Sequence, residues 1–288
     1  MTRLAIIGVG RIGGEVAFLA SVLGVTEELV LIEENDLLLR SQVLDLRHTC
    51  CDVGVSTDPR DIREADICIY AAGIPRNPLV MNRADLLGVN LPICSSCLVY
   101  AQGFGGTWVT VANPMDVLNY YFHRKGGIDR HRCIGFGGQL DSARFTLALR
   151  EDGIRVEGTV LGEHGEHQVP VFSPLPVPVG VPDRERILGS LRKASMEVIR
   201  GKGATVFGPA VHIVALIRAL LTGSGTAVPC SCVLEGEYGL RGCSLGVPAL
   251  LGKEGVREIR EWALDPWEKD HMAQAGEFLR QMSVRFDD

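Results

Sequence analysis

The sequence predicts an α/β fold in two parts, a doubly wound parallel sheet over residues 1–139 followed by an α+β domain over residues 140–288. Three observations predict it. Short apolar runs alternate with helical stretches through the first half, a glycine-rich turn joins the first apolar run to the first helical one, and from Leu140 onward paired apolar runs replace the alternation.

Residues 3–7 read as a strand, since an unbroken apolar run suits a strand covered on both faces. Gly8-Val9-Gly10-Arg11-Ile12-Gly13 follows and opens the apolar helical run 15–23; a second strand, 29–32, ends in Glu33, 20 residues after Gly13. In that setting each glycine has a task. Gly8 permits the tight turn, Gly10 lets backbone approach a pyrophosphate, Gly13 lets the helix pack on the strand, and the helix N-terminus faces the phosphates. This is the fingerprint of a Rossmann domain holding a dinucleotide. Glu33 would bind the adenosine ribose hydroxyls, and its charge repels the extra phosphate of NADP. Glu34 and Asn35 offer no cation there, so NAD is the expected cofactor.

A helix is expected over residues 36–48, then buried strands at 66–71 and 108–112 that run out at Gly73 and at Asn113-Pro114. Ligands of such sheets bind beyond the carboxyl ends of the strands. From Leu140 the expected elements are a helix through Arg150, a strand pair at 156–161 and 168–172, and a proline-rich surface connection over 170–182. A long helix from Asp183 should break near Gly208-Pro209, because proline cannot continue a helix without a kink. The apolar stretch 210–221 should lie against another helix or subunit. Antiparallel strands at 227–234, 240–244 and 247–251 and an amphipathic closing helix at 267–285 complete the chain.

Composition fits an enzyme of two lobes: 288 residues, 46% hydrophobic and 22% charged, suffice for one large or two medium domains. A net charge of -6 argues against nucleic acid or an anionic membrane as partner, so an anionic substrate would be captured by local arginines. No apolar run is long enough to span a membrane and no signal peptide precedes Leu4, which places the expected location in the cytoplasm. Nine cysteines form an odd set; Cys94 and Cys97 have the spacing of half a zinc site, but no second half follows. Buried neutral thiols, and no metal, are the expectation. Five lysines stand against 24 arginines, a pattern compatible with heat adaptation and equally with coding bias.

The chemistry is carried by two runs, Leu140-Asp141-Ser142-Ala143-Arg144-Phe145 and Gly162-Glu163-His164-Gly165-Glu166. Reducing a 2-keto acid needs a cation for its carboxylate, a proton donor for its keto oxygen, and a buried anion to orient that donor. Arg144, His164 and Asp141 supply these in turn. His167 completes an HxxH spacing, but the surrounding glycines and prolines give no helix to bring both rings together, and it is assigned no role.

With these runs in view, the chain resembles the lactate and malate dehydrogenase family over essentially its whole length. The motifs 8–13, Asp45-Leu46-Arg47-His48, Ala72-Gly73-Ile74-Pro75-Arg76, Ala112-Asn113-Pro114-Met115-Asp116, 140–145, 162–166 and Lys202-Gly203-Ala204-Thr205 occur in the family's order. The resemblance implies that His164 is the acid and base, Asp141 its partner and Arg144 the clamp on the reacting-end carboxylate. It also implies a substrate hydrogen bond for Asn113 and a place on the pocket wall for Thr205. Gly8, Gly10, Arg11, Ile12, Gly13, Glu33, Ala72, Gly73, Asn90, Ala112 and Asn113 would line the NAD site. A homodimer or homotetramer is implied as well, with an ordered mechanism in which NAD(H) binds first.

Substrate choice is implied by the loop from Arg76 to Arg83, which in the family closes over the substrate. Its second arginine polarises the keto oxygen; its first position is glutamine in lactate dehydrogenases and arginine in malate dehydrogenases. Arg76 fits the latter, since a buried cation is costly unless an anion meets it, and this points to a dicarboxylic acid, malate or oxaloacetate. Lactate or a broader range of 2-hydroxy acids is the near alternative, and a dinucleotide-binding protein without turnover the remote one. The loop departs from the family in carrying Leu79-Val80 where one glycine is usual, which moves Arg83 one residue further from Arg76.

Overall fold

A computed structural model describes residues 2–75 and 83–286. Its first half carries six parallel strands, β1 (Arg3–Ile7), β2 (Glu28–Ile32), β3 (Gly54–Ser56), β4 (Ile67–Tyr70), β5 (Thr107–Thr110) and β6 (Cys133–Gly135), in the order β3-β2-β1-β4-β5-β6. That order reverses direction between β1 and β4, which opens a crevice at their carboxyl ends. Leu4, Ala5, Ile6, Ile7, Leu29, Val30 and Leu31 are buried, as strands covered on both faces require.

The connecting helices are α1 (Arg11–Val22), α2 (Asp36–His48), α3 (Arg83–Ser96), α4 (Leu98–Ala101) and α5 (Met115–Gly126). Local chemistry fixes several ends. Asn35 Oδ1 accepts from the Leu37 and Leu38 amides at 3.1 Å, while Arg47 and His48 sit in the last turn of α2, where the negative end of the helix dipole favours them. Phe122 of α5 packs between Tyr70 and Trp108 of the sheet, with ring centroids 4.7 and 4.5 Å away.

The second half comprises α6 (Gly138–Glu151), β7 (Val160–Gly162), β8 (Gln168–Pro170), α7 (Val181–Lys202), α8 (Phe207–Thr222), β9 (Val228–Glu235), β10 (Arg241–Gly252), β11 (Gly255–Ile259) and α9 (Pro266–Ser283). Its strands extend the same sheet: β9 pairs antiparallel with β6, and β10, β7 and β8 follow, with β11 on β10. A capping box starts α9, where Asp265 and Glu268 exchange side-chain and backbone bonds. The other oxygen of buried Glu268 accepts from the Phe172 and Ser173 amides at 2.6 and 2.8 Å, tying the proline-rich segment to α9.

Three expected elements differ from those observed. The break in the long helix lies at Gly203, left-handed at φ 83°, and not at Pro209, which occupies the first turn of α8 where its missing N–H leaves no bond unmade. The strands expected at 240–244 and 247–251 are one continuous β10. Those expected at 156–161 and 168–172 are three residues each, β7 and β8. The apolar stretch 210–221 buries Ala210, Ile213, Val214, Ile217 and Leu220 within the chain, against α1 and β10.

All nine cysteines are free thiols, seven of them buried, and burial pushes the Cys97 thiol up to about 11. Among the described residues no group of three or more His, Cys, Asp or Glu is placed to hold a metal ion. No helix among them is long and apolar enough to cross a membrane.

Candidate active site

His164 leaves the end of β7 and turns into a cavity of about 150 Å³ that Asn113, Arg144, Gln168, Arg192, Ser195 and Thr205 also line. Its Nδ1 donates to Asp141 Oδ2 at 2.6 Å, since the carboxylate can only accept, which leaves Nε2 as the nitrogen turned away from Asp141. Arg144 Nη1 donates to the other Asp141 oxygen at 3.0 Å. Asp141 and Arg144 are three residues apart on α6 and so share a face. Burial alone would push the Asp141 carboxyl up, but the charge and hydrogen bond of His164, then Arg144 and Gln168, hold it below the usual carboxylate range. Gly137 lets the ring approach the backbone, because a Cβ there would fall 2.5 Å from His164 Cγ.

Beneath this triad lies a second, buried network. The His164 amide donates to Asp116 Oδ2 at 2.8 Å and Ser231 Oγ donates to Asp116 Oδ1 at 2.6 Å, while Glu163, also buried, accepts from the His167 amide at 2.9 Å. Burial, then the Glu163 charge, raise the Asp116 pKa to about 6 against the lowering effect of Ser231 and His164. A folded value above the unfolded one means stability that is present below about pH 4 and lost as pH rises through about 6. In Asp116→Asn the amide oxygen can accept from His164 and the amide nitrogen donate to Ser231, so the variant escapes this loss. Between pH 4.5 and pH 8 its stability should therefore gain about 2 kcal/mol relative to the wild type, by denaturant titration. A gap that does not change with pH would rule out a raised Asp116 pKa.

Of the cofactor residues expected from the sequence, Gly8, Gly10, Glu33, Ala72 and Gly73 line one groove at the carboxyl ends of β1, β2 and β4, together with Glu34 and Ile74. A Cβ on Gly13 would stand 2.0 Å from the Gly8 carbonyl oxygen, so helix and turn meet there only through glycine, whereas nothing lies within 4 Å of a Cβ on Gly10. That open backbone, at the uncapped start of α1, suits a pyrophosphate. Glu33 closes the groove, accepting from the Val9 and Asn35 amides at 3.1 and 3.2 Å, and no Lys or Arg among the described residues lines it. The groove therefore fits NAD. Asn90 is buried, accepts from the Ile74 amide at 2.7 Å and donates to the Asn113 carbonyl at 2.6 Å, so it joins the loops after β4 and β5. Ile12 faces the reaction cavity, Arg11 lies against Gly203, and Ala112 follows β5 beside Asn113.

Arg76 and the side chain of Arg83 lie outside the described residues. Gln168, Arg192 and Ser195 line the cavity without having been singled out in the sequence. Arg192, Ser195 and Ile199 recur at helical spacing along α7 and all face the cavity, which was the available signal. Asp116 stood within a quoted motif but had no role there.

Comparison with known proteins places this geometry among relatives. A family profile for the NAD-binding domain of lactate/malate dehydrogenases matches residues 2–135, and the profile for their α/β C-terminal domain matches residues 138–284. A malate dehydrogenase of Halobacterium salinarum is 38% identical over 309 residues, covering 100% of this chain and 99% of that protein. An L-lactate dehydrogenase of Halalkalibacterium halodurans is 30% identical, covering 98% of this chain and 96% of that one. Among solved structures, the malate dehydrogenase of Archaeoglobus fulgidus in complex with NADH superposes with a TM-score of 0.90 at 30% identity, each chain covered in full.

Proposed function

Since the chain belongs to the lactate/malate dehydrogenase family and is an NAD-dependent oxidoreductase, we propose that it interconverts malate and oxaloacetate with His164 as the proton donor and acceptor. The observation that carries the chemistry is the sharing of one buried carboxylate, Asp141, by His164 and Arg144 on the wall of a single cavity. Arg76 at the start of the substrate loop supports the dicarboxylate, as do the relatives that bear the name malate dehydrogenase.

Bound NADH supplies the hydride that reduces the keto carbon. The remaining work belongs to side chains. Arg144 has one donor committed to Asp141 and others left for the carboxylate next to the keto group, which fixes the orientation of that carbon. Arg76 would take the second carboxylate, and Arg83 would polarise the keto oxygen. Asp141 stabilises the imidazolium, and His164 Nε2 gives its proton to the oxygen as the carbon is reduced, ending neutral. In the reverse direction neutral His164 removes the hydroxyl proton. Asn113 and Thr205 contribute to the cavity wall, and Glu33 holds the adenosine ribose.

In this reading residues 1–139 form the dinucleotide-binding domain, which also lends Arg76, Arg83 and Asn113 to the substrate, and residues 140–288 form the substrate-binding and catalytic domain. A homodimer or homotetramer is supported by neighbouring helices α1 and α8, which expose Phe18, Val22, Phe207 and Val211. A cytoplasmic location goes with water-soluble reactants.

The test is NADH oxidation with oxaloacetate and with pyruvate side by side, repeated with NADPH. Preference for oxaloacetate and NADH is expected; preference for pyruvate would leave the His164 chemistry standing and remove the malate assignment. In Arg76→Gln the oxaloacetate-to-pyruvate ratio of kcat/KM should move toward pyruvate by about hundredfold or more, since a lost charge-assisted pair penalises only the dicarboxylate. An unchanged ratio would take Arg76 out of the argument.

A further inference from the structure

We infer that Arg192 is a further carboxylate-binding cation on the wall of the substrate cavity, one that helps to hold the distal carboxylate of the four-carbon acid. The inference rests on the malate reading above and adds to it a residue on α7 rather than on the loop. Six arginines among the described residues are half-buried: Arg3, Arg130, Arg132, Arg144, Arg184 and Arg192. Five of them meet a carboxylate, namely Glu28, Glu237, Glu254, Asp141 and Asp265 in that order. Arg192 meets none among the described residues, and its Nε is fully buried without a hydrogen-bond partner.

A half-buried guanidinium with one donor unpaired and no counter-ion is unfavourable as it stands, and it gains when an anion enters the cavity. Arg192 lines the cavity that His164, Arg144 and Asn113 line. Arg144 is already bonded to Asp141 and is assigned to the reacting-end carboxylate, whereas the unpaired Arg192 can add its charge toward the other end. The two Nη groups at the end of its planar guanidinium can meet a carboxylate through two parallel bonds. Ser195, three residues on and therefore on the same face of α7, lines the cavity as well and adds a hydroxyl donor. A methyl group at the distal end of the substrate would leave this guanidinium unmet.

The experiment compares wild type, Arg192→Gln and Arg192→Lys with oxaloacetate and with 2-oxobutanoate, which has the same carbon chain but a methyl group in place of the distal carboxylate. In Arg192→Gln the KM for oxaloacetate should rise about tenfold to hundredfold with kcat within about threefold, while kcat/KM for 2-oxobutanoate stays within about twofold. Arg192→Lys should recover part of the loss. Calorimetric binding to the NADH complex provides a readout without turnover: tartronate, a small dicarboxylate, should weaken in Arg192→Gln and oxamate should not. Equal losses with both substrates, or an unchanged KM for oxaloacetate, would overturn the inference and leave the malate assignment intact. A wild type that prefers 2-oxobutanoate to oxaloacetate would overturn both.

Discussion

His164→Asn is expected to lower kcat for oxaloacetate reduction roughly 10³-fold or more, with NADH affinity unchanged. Asparagine can keep a hydrogen bond to Asp141 from nearly the same place, but it cannot deliver a proton to the keto oxygen. The groove lined by Gly8, Gly10 and Glu33 does not involve His164, which is why binding of the dinucleotide should survive. The pH profile separates loss of the acid from a general disturbance. In the wild type oxaloacetate needs the imidazolium and malate needs the neutral ring, so malate oxidation should gain as pH rises while oxaloacetate binding weakens. The variant should show neither limb. Full retention of both would exclude His164 as the proton carrier, whatever the loss in rate.

Arg144→Lys should cost about 10²–10³-fold in kcat/KM for oxaloacetate although the charge is kept, because the fork is lost. A lysine has one ammonium to divide between Asp141 and the substrate, where the guanidinium serves both. Two consequences follow in one variant. The keto carbon is held less firmly, and Asp141 loses a partner that helps keep it ionised, which loosens the histidine as well. Steady-state kinetics with oxaloacetate, beside NADH titration as a control for folding, checks this. A change of only twofold would show that Arg144 contributes charge and not geometry.

Much of the site was legible because its parts are local. Asp141 and Arg144 lie within one turn of one helix, and the glycine turn needs only the strand before it and the helix after it. The unread part depends on contacts between distant segments. Asp116 and Ser231 come from two separate elements, α5 and β9, and nothing in their own neighbourhoods marks them as meeting under His164. Arg192 resembles any solvated arginine on an amphipathic helix until the helix's partner is known. The break at Gly203 was assigned to Pro209 because proline is a strong breaker inside a helix; in the first turn it is not. The continuity of β10 comes from its pairing with β9, which carries the strand through Leu245 and Gly246, where the glycine alone reads as an interruption.

The pairing of β6 with β9, Ile134 opposite Cys232 and Gly135 opposite Ser231, makes a single fabric of the part that holds the dinucleotide and the part that holds the acid. Such a molecule is not modular. A gene cut between the two parts would leave β6 with a row of unmet amides and carbonyls, an edge inclined to join another copy of itself. Cofactor preference and substrate preference can thus be altered by exchanging side chains, but the two halves cannot be traded between enzymes as cassettes unless the strands on both sides of this join travel together.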